Sequence, residues 1–308
     1  MAKAFGARLF EFKEIDLIRN PLRKYSRGIL HTLQVISRVK PGVVFGQNPS
    51  LVLSLLLVCL RKIFNFKVII DAHNAGIFPA EGRSGVLMVL SRFVQRHADL
   101  VIITNYGMKQ HVESNGGKAF ILPDKIPDIS PAIETRKLKG RMNILFICSY
   151  AADEPYEAVF KAAARLPEDV FVYVTGNYQK KNIRPSALPA NVILTGFVPM
   201  EEFEILLHSV DATIDLTTRE DCLVCGAYES VAVEKPMVLS DTNALRDYFY
   251  KGAVYTLHSA EAIWKAIFEL IDSKDRLTMQ VKELKVERTH DWEQQRQILE
   301  DHICRMIH

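Results

Sequence analysis

The feature that most constrains this chain is a regular alternation of short β-branched runs with longer stretches of helical periodicity. The runs lie at residues 42–46, 66–71, 99–104, 118–122, 143–148, 170–175, 192–195, 212–216, 237–240 and 254–256. Helical periodicity lies at residues 51–64, 85–97, 108–114, 155–166, 201–208, 223–233, 260–271 and 291–307. Strands that alternate with helices form βαβ units, whose strands are parallel and whose crossovers are right-handed. The alternation therefore predicts an α/β protein built on parallel sheets.

The alternation is interrupted over residues 123–141, and this interruption divides the chain. The stretch contains Pro123, Pro127 and Pro131 and ends in a run rich in Lys and Arg, which is typical of a linker. A length of 308 residues also favours two domains, at roughly 100–200 residues each. We therefore predict two Rossmann-like, doubly wound domains, over residues 1–130 and 131–308, which face each other across a cleft beyond the carboxyl ends of their strands.

The first domain lacks the usual beginning of such a sheet. Where an apolar strand is expected, the chain has only the mixed segment 7–16, and Asn20 and Pro21 follow it instead of a glycine-rich turn. We therefore predict that the first βα unit is lost or degenerate.

Composition excludes several classes of protein. With 48% hydrophobic and 24% charged residues, the chain is not disordered, collagen-like or a disulfide scaffold. The five cysteines form no repeating framework, and residues 1–11 have no apolar core of the length that a secretory leader needs, so we expect a cytoplasmic location. The longest apolar run, residues 51–60, is shorter than the about 20 residues that a membrane span requires.

The net charge of +3 conceals an asymmetry between the two halves. Residues 1–130 contain 18 Lys and Arg against 9 Asp and Glu, whereas the remainder of the chain is acidic. Much of the excess lies in one predicted amphipathic helix and its flanks, at Arg19, Arg23, Lys24, Arg27, Arg38 and Lys40. Such a helix either packs on the sheet with a solvated basic face or contacts an anionic surface at the inner face of the cell membrane. Both interpretations remain open at this point.

The segment 212–241 carries the residues best suited to bind a phosphorylated ligand. A buried strand ends near Leu216, a polar loop follows, and a helix begins near Leu223. Backbone N–H groups at a helix start bind diphosphates, and a residue as small as Gly226 lets a ligand approach closely. Glu229, further along the same helix, can accept hydrogen bonds from a ribose diol.

Here the sequence resembles the retaining, nucleotide-sugar-dependent glycosyltransferases of group 1 (family 4-like), which have the GT-B fold. Their signature is an acidic residue, seven intervening residues and a glutamate, and Asp221 and Glu229 have that spacing. Residues 194–199 resemble the base-recognition turn of the family, and residues 289–293 resemble its terminal helix, which packs back on the first domain. The family often has Arg and Lys after the first strand of the second domain, whereas residues 148–155 have neither and carry two acids.

The resemblance implies a role for each candidate site residue. The donor would be bound by Gly176, Asn177, Gly196, Phe197, Cys222, Leu223, Val224, Cys225, Gly226 and Glu229. Asp221 would contact the donor sugar, and His73 would hydrogen-bond a sugar hydroxyl. Asn48, in the turn 47–49, and Asn74 would lie on the acceptor side. Neither a metal ion nor another cofactor is expected, since Cys222 and Cys225 have no second pair or His at ligand spacing.

The implied reaction is transfer of a sugar from a nucleoside diphosphate sugar to an acceptor hydroxyl, with retained configuration. The basic first domain favours a lipid-linked or otherwise anionic acceptor, and so surface polysaccharide or glycolipid synthesis, with no nucleic acid partner. Two alternatives remain open. One is a sugar-nucleotide epimerase of similar architecture. The other is a non-catalytic binding subunit, which the missing glycine-rich turn and the missing Arg and Lys favour.

Overall fold

The structure, a computed structural model, describes residues 2–12, 20–48, 50–130 and 135–307. The chain divides into two compact units. Unit 1 comprises Met1–Pro123 and Trp292–His308, and unit 2 comprises Asp124–Asp291. Arg19, Pro49, Pro131 and residues 13–16 of the mixed N-terminal segment lie outside the described residues.

Unit 1 is built on a parallel sheet of four strands in the order β1-β2-β3-β4. The strands are β1 (Val43–Asn48), β2 (Lys67–Ala72), β3 (Leu100–Ile103) and β4 (Ala119–Ile121). Its helices are α1 (Pro21–Val39), α2 (Leu51–Leu60), α3 (Asn74–Ile77), α4 (Gly85–His97) and α5 (Tyr106–Ser114). In the described part of residues 1–20, regular structure is limited to the 3-10 turn Ala2–Phe5.

The two faces of this sheet are covered by different parts of the chain. On one face, α1, α2, α4 and α5 contribute Ile36, Leu57, Val58, Val94, Met108 and Val112 to a core with Val68, Ile70, Val101 and Ile103. On the other face, Ile69, Leu100 and Ile102 pack against Trp292, Leu299 and Ile303 of the last helix. The strands are therefore buried on both sides, which explains their apolar runs.

Unit 2 contains a six-stranded parallel sheet in the order β10-β9-β8-β5-β6-β7. The strands are β5 (Met142–Phe146), β6 (Val170–Thr175), β7 (Val192–Gly196), β8 (Ala212–Asp215), β9 (Met237–Ser240) and β10 (Ala253–Thr256). The helices are α6 (Tyr156–Ala163), α7 (Met200–Ser209), α8 (Cys225–Ala232), α9 (Asn243–Tyr248), α10 (Ala260–Asp272) and α11 (Lys274–Ile307), the last of which continues into unit 1. The strand order reverses between β5 and β8, so these neighbours form the topological switch point of the sheet.

Several helix boundaries differ from the sequence-based predictions, among them the end of α6 at Ala163 rather than at residue 166. Helix α8 begins at Cys225 rather than near Leu223, and α2 ends at Leu60 rather than at residue 64. Helix α11 begins at Lys274 rather than at 291, because its first turns pack Leu277, Val281 and Leu284 into the cores of unit 2. None of the helices in the described ranges combines the length and the apolar character that a membrane span requires.

Candidate functional site

The carboxyl ends of β5 and β8 bring two polar loops together at the switch point of unit 2. In open parallel sheets, ligands bind in the crevice at this point, because the crossovers on either side of it leave the sheet in opposite directions. One loop follows β5 and includes residues 148–155. The other follows β8 and leads through Arg219 and Asp221 to α8.

The loop after β5 is held by the carboxylate of Glu154. This carboxylate accepts hydrogen bonds from Ser149 N at 2.9 Å, Ser149 Oγ at 2.8 Å and Ala151 N at 2.9 Å. Cys148 Sγ donates a further hydrogen bond to Glu154 at 3.2 Å. Tyr150, which lies between Ser149 and Ala151, has a left-handed φ of 61°. Glu154, one of the two acids that replace the expected bases, therefore organises its own loop.

The second acid, Asp153, connects the two loops. Its Oδ2 accepts a hydrogen bond from Thr217 Oγ1 at 2.6 Å, and its backbone carbonyl accepts one from Thr218 N at 2.8 Å. Nη2 of Arg219 lies 3.1 Å from Asp153 Oδ1. Burial raises the pKa of the Cys222 thiol to about 11, and the neighbouring guanidinium of Arg219 acts in the opposite direction. The guanidinium of Arg219, on the loop after β8, thus contacts the loop after β5, which has no Arg or Lys of its own.

Asp215, the last residue of β8, is a buried carboxyl group beneath these loops. Burial raises its pKa well above the ordinary range, and the nearby charges of Glu154, Glu229 and Asp153 act in the same direction. The nearby backbone N–H of Gly226 acts in the opposite direction on this pKa. A Cβ atom at Gly226 would lie 2.5 Å from Asp215 Oδ2, so glycine allows this close approach. The start of α8, expected to bind phosphate, therefore lies beside the carboxyl group of Asp215.

Helix α8 carries Glu229 on its second turn. Burial raises the pKa of Glu229 to about 7, since no cation compensates for the loss of hydration among the groups that shift it. The helix begins after Val224, which provides no side-chain cap for its first N–H groups. Glu220 accepts a hydrogen bond from Asn243 N, at the start of α9, at 3.0 Å. Asp221 and Cys222 are half-buried in the turn before α8.

The two predicted glycine turns meet at the carboxyl ends of β6 and β7. Gly176 N donates to Gly196 O at 3.1 Å, and both residues have a left-handed φ, of 91° and 76°. A Cβ atom at Gly176 would lie 2.3 Å from Cys148 O, so this turn packs on the loop after β5. Asn177 follows Gly176, and Phe197 follows Gly196 with 83% of its surface exposed. Gly176 thus adjoins the loop after β5, while Asn177, Gly196 and Phe197 lie at the neighbouring ends of β6 and β7.

In unit 1, the predicted acceptor-side residues share the carboxyl edge of β1 and β2. His73 N donates to Asn48 O at 3.2 Å, and Asn74 begins the short helix α3. Asn48 is only 2% exposed, and its Nδ2 donates to Gly76 O at 3.3 Å. Among the described residues, its Oδ1 has no hydrogen-bond partner. The structure therefore brings these three residues together.

Comparison with known proteins identifies the fold. No protein-family model and no curated protein matches the sequence. The structure is similar to that of sucrose-phosphate synthase from Thermosynechococcus elongatus, with a TM-score of 0.75, 13% identity and coverage of 94% of this chain and 80% of that one. It is also similar to Anabaena HepE in complex with UDP-glucose, with a TM-score of 0.72, 12% identity and coverage of 94% and 84%. The chain has the GT-B fold.

A third GT-B match has a different description. It is a putative UDP-N-acetylglucosamine 2-epimerase from Listeria monocytogenes, with a TM-score of 0.61, 13% identity and coverage of 91% of this chain and 79% of that one. At such identities the likeness concerns the fold alone.

Two residues at the switch point of unit 2 were missed by the sequence analysis, namely Asp215 and Arg219. Asp215 lies in an otherwise apolar run, residues 212–216. A single acid in such a run forms no motif that spacing could reveal. Arg219 was passed over because its partner, Asp153, is far away in the sequence and adjacent only through the β5–β8 pairing. In the described ranges, no group of three or more His, Cys, Asp or Glu is arranged to hold a metal ion.

Proposed function

We propose that this chain is a glycosyltransferase that uses a nucleoside diphosphate sugar. The observation that carries the proposal is that Glu229, the start of α8 and the Gly176 turn all lie beside the switch point of unit 2. Ligand-binding crevices of doubly wound sheets lie at such points. Two solved structures that the chain resembles are of HepE with UDP-glucose and with UDP.

In this proposal, each predicted residue acts on a defined part of the donor. Glu229 accepts hydrogen bonds from the ribose diol, and the exposed ring of Phe197 contacts the base beside Gly196. Asp221 contacts the donor sugar, and His73 of unit 1 hydrogen-bonds a sugar hydroxyl. Preorganised N–H donors at the start of α8 stabilise the departing diphosphate, which is the principal contribution to catalysis in such a site. Configuration at the anomeric carbon is retained.

The proposed acceptor is lipid-linked or otherwise anionic, which would place the enzyme in surface polysaccharide or glycolipid synthesis. Between residues 20 and 97 the chain has eleven Lys and Arg but only two acids, and α1, α2 and α4 contain no acid. These three helices lie on the same face of the unit 1 sheet. Their exposed apolar side chains are Leu22, Tyr25, Leu30, Val39, Val52, Val86, Val89 and Phe93. A basic surface with exposed apolar side chains fits an anionic membrane.

The experiment that tests the function is incubation with UDP-, GDP- and ADP-sugars, with and without a lipid-linked acceptor, followed by NMR analysis of the products. A glycosyltransferase releases the nucleoside diphosphate and forms a glycoside whose anomeric configuration matches that of the donor. Epimer formation without any acceptor would support the epimerase alternative instead. Nucleotide binding without turnover of any donor would support a non-catalytic subunit.

We also expect turnover to persist in EDTA, because the proposed stabilising groups are protein donors. The measurement is the rate of diphosphate release before and after chelation. A complete loss of activity that a divalent cation restores would contradict this part of the proposal.

A further inference from the structure

We propose that Arg219 binds the diphosphate of the donor and that Asp153 positions its guanidinium. This inference rests on the proposed function and assigns the phosphate-binding cation within it. The cation comes from the loop after β8, whereas the loop after β5 contains neither Arg nor Lys.

The loop after β5 is poorly suited to hold a phosphate by itself. Two of its backbone N–H groups, those of Ser149 and Ala151, already donate to the carboxylate of Glu154. A carboxylate and a phosphate compete for the same kind of N–H donor. An additional anion at this edge of the sheet therefore requires donors from another element.

Arg219 is placed to supply them. Its guanidinium contacts Asp153 on the loop after β5 and Cys222 in the turn before α8, so it lies between the two loops that border the switch point. The side chain of Arg219 is 29% exposed, which leaves it accessible to a ligand. The first N–H groups of α8 begin three residues after Cys222.

The acids of the loop after β5 favour a cation at the site. Asp153 and Glu154 lie close enough to Asp215 to raise its pKa, so their charges border the crevice. They would repel a diphosphate unless a positive charge stood among them. A guanidinium has five N–H donors in a planar fork, so one Arg can hold a carboxylate on one side and a phosphate on the other. Asp153 then acts as the positioning residue, and its own hydrogen bond from Thr217 keeps it in place.

The test is calorimetric titration of the full chain with UDP, GDP and ADP, and with uridine, guanosine and adenosine. The wild type is compared with Arg219→Gln, with the conservative Arg219→Lys, and with Arg165→Gln as a matched control. Arg165 also pairs with a carboxylate, that of Glu261, but it follows α6 and belongs to neither of the two switch-point loops.

We expect Arg219→Gln to weaken binding of the preferred diphosphate at least 10-fold while leaving binding of its nucleoside unchanged, and Arg219→Lys to recover part of the loss. Arg165→Gln should alter neither affinity. If Arg219→Gln changes the diphosphate and nucleoside affinities by the same factor, or changes neither affinity, Arg219 does not bind phosphate. If the wild type binds none of the diphosphates, the proposed function fails and this inference with it, so the two failures are distinguishable.

Discussion

At the scale of single residues, Gly226 shows how closely the proposed donor site is packed. A Cβ atom there would meet Asp215 Oδ2 at 2.5 Å, Ile147 Cδ1 at 2.6 Å and Ile147 Cβ at 3.0 Å, and a side-chain rotation does not relieve the last of these contacts. We therefore expect Gly226→Ala to lower the free energy of unfolding by about 1–3 kcal/mol, the range for overpacking a dense site. Urea denaturation of the two proteins measures the difference.

The control for this substitution is Gly85→Ala. Gly85 also begins a helix, but a Cβ atom there would have no neighbour within 4 Å. Its replacement should be stabilising, by about 0.4–1 kcal/mol, because it reduces the entropy of the unfolded chain. Equal effects of the two substitutions would contradict the packing described for Gly226.

Glu229 should make stability depend on pH. Burial raises the pKa of Glu229 to about 7, above its value of about 4.3 in an unfolded chain. Between these values the folded state binds more protons, so the free energy of unfolding falls as the pH rises through this window. We expect Glu229→Gln to stabilise the protein at pH 8 by about 1–3 kcal/mol, and by much less at pH 4.5.

The measurement is a series of thermal melts between pH 4.5 and pH 8, with Glu261→Gln as the control. The pKa of Glu261 is lowered by its hydrogen bond to Arg165, so its removal should give no gain at high pH. A pH-independent effect of Glu229→Gln would mean that the carboxyl group is well hydrated in the folded state.

Sequence reasoning predicts candidate site residues that belong to one local pattern and does not reveal those that depend on strand order. Asp221 and Glu229 are separated by a fixed number of positions within one loop and helix, so spacing alone indicates them. The Asp153–Arg219 pair arises because β8 pairs with β5 rather than with a strand closer in sequence. Local patterns do not contain that information.

At the scale of elements, the acid-free layer of α1, α2 and α4 leads to a prediction about membranes. Each Lys or Arg near an anionic surface contributes about 1 kcal/mol, and exposed side chains such as Val86 and Phe93 add apolar contact. We expect the protein to co-sediment with vesicles in proportion to their anionic lipid content. Binding should weaken with salt, because the Debye length is about 8 Å at physiological ionic strength and shortens as salt is added.

Charge-reversed variants locate this surface. Arg23→Glu, Lys24→Glu and Arg27→Glu together should abolish most vesicle binding, since all three belong to α1. Lys180→Glu with Lys181→Glu, in a 3-10 turn of unit 2, is the control and should retain it. If vesicle binding is unaffected by lipid charge, by salt and by the α1 variant, this helix is a solvated part of the scaffold and does not bind the membrane.

The elements themselves were predicted unevenly, for physical reasons. Strands β6 and β9 lie where their β-branched runs predicted, because a strand buried on both faces must be apolar throughout. The start of α11 was missed because only one narrow stripe of this long polar helix is buried in unit 2. The six-residue helix α9 is too short to show a helical period in sequence.

At the scale of the whole molecule, each unit contains one tryptophan, which allows ligand binding to be assigned to a unit. Trp264 of unit 2 donates to Arg165 O at 3.2 Å, and Trp292 of unit 1 donates to Pro123 O at 3.0 Å. A ligand at 100 times its dissociation constant stabilises the unit that binds it by about 2.7 kcal/mol. We therefore expect the preferred nucleoside diphosphate to raise the fluorescence melting temperature of Trp292→Phe, in which Trp264 reports unit 2.

The reciprocal variant, Trp264→Phe, reports unit 1 through Trp292. Its transition should shift less than that of Trp292→Phe at the same nucleotide concentration. A shift confined to the Trp292 signal would place the nucleotide in unit 1 and contradict the assignment of the donor site to unit 2.

The return of α11 to the unit 1 sheet has a consequence for biosynthesis. One face of that sheet, formed by Ile69, Leu100 and Ile102, is completed by residues from Trp292 onward. A ribosome makes the whole of unit 2 before those residues emerge, which at about 5–20 residues per second takes on the order of 10–30 s. During that interval the nascent chain carries an uncovered apolar sheet face. Unit 1 is therefore the first to begin folding and the last to finish, and its open face is where a chaperone would bind during translation.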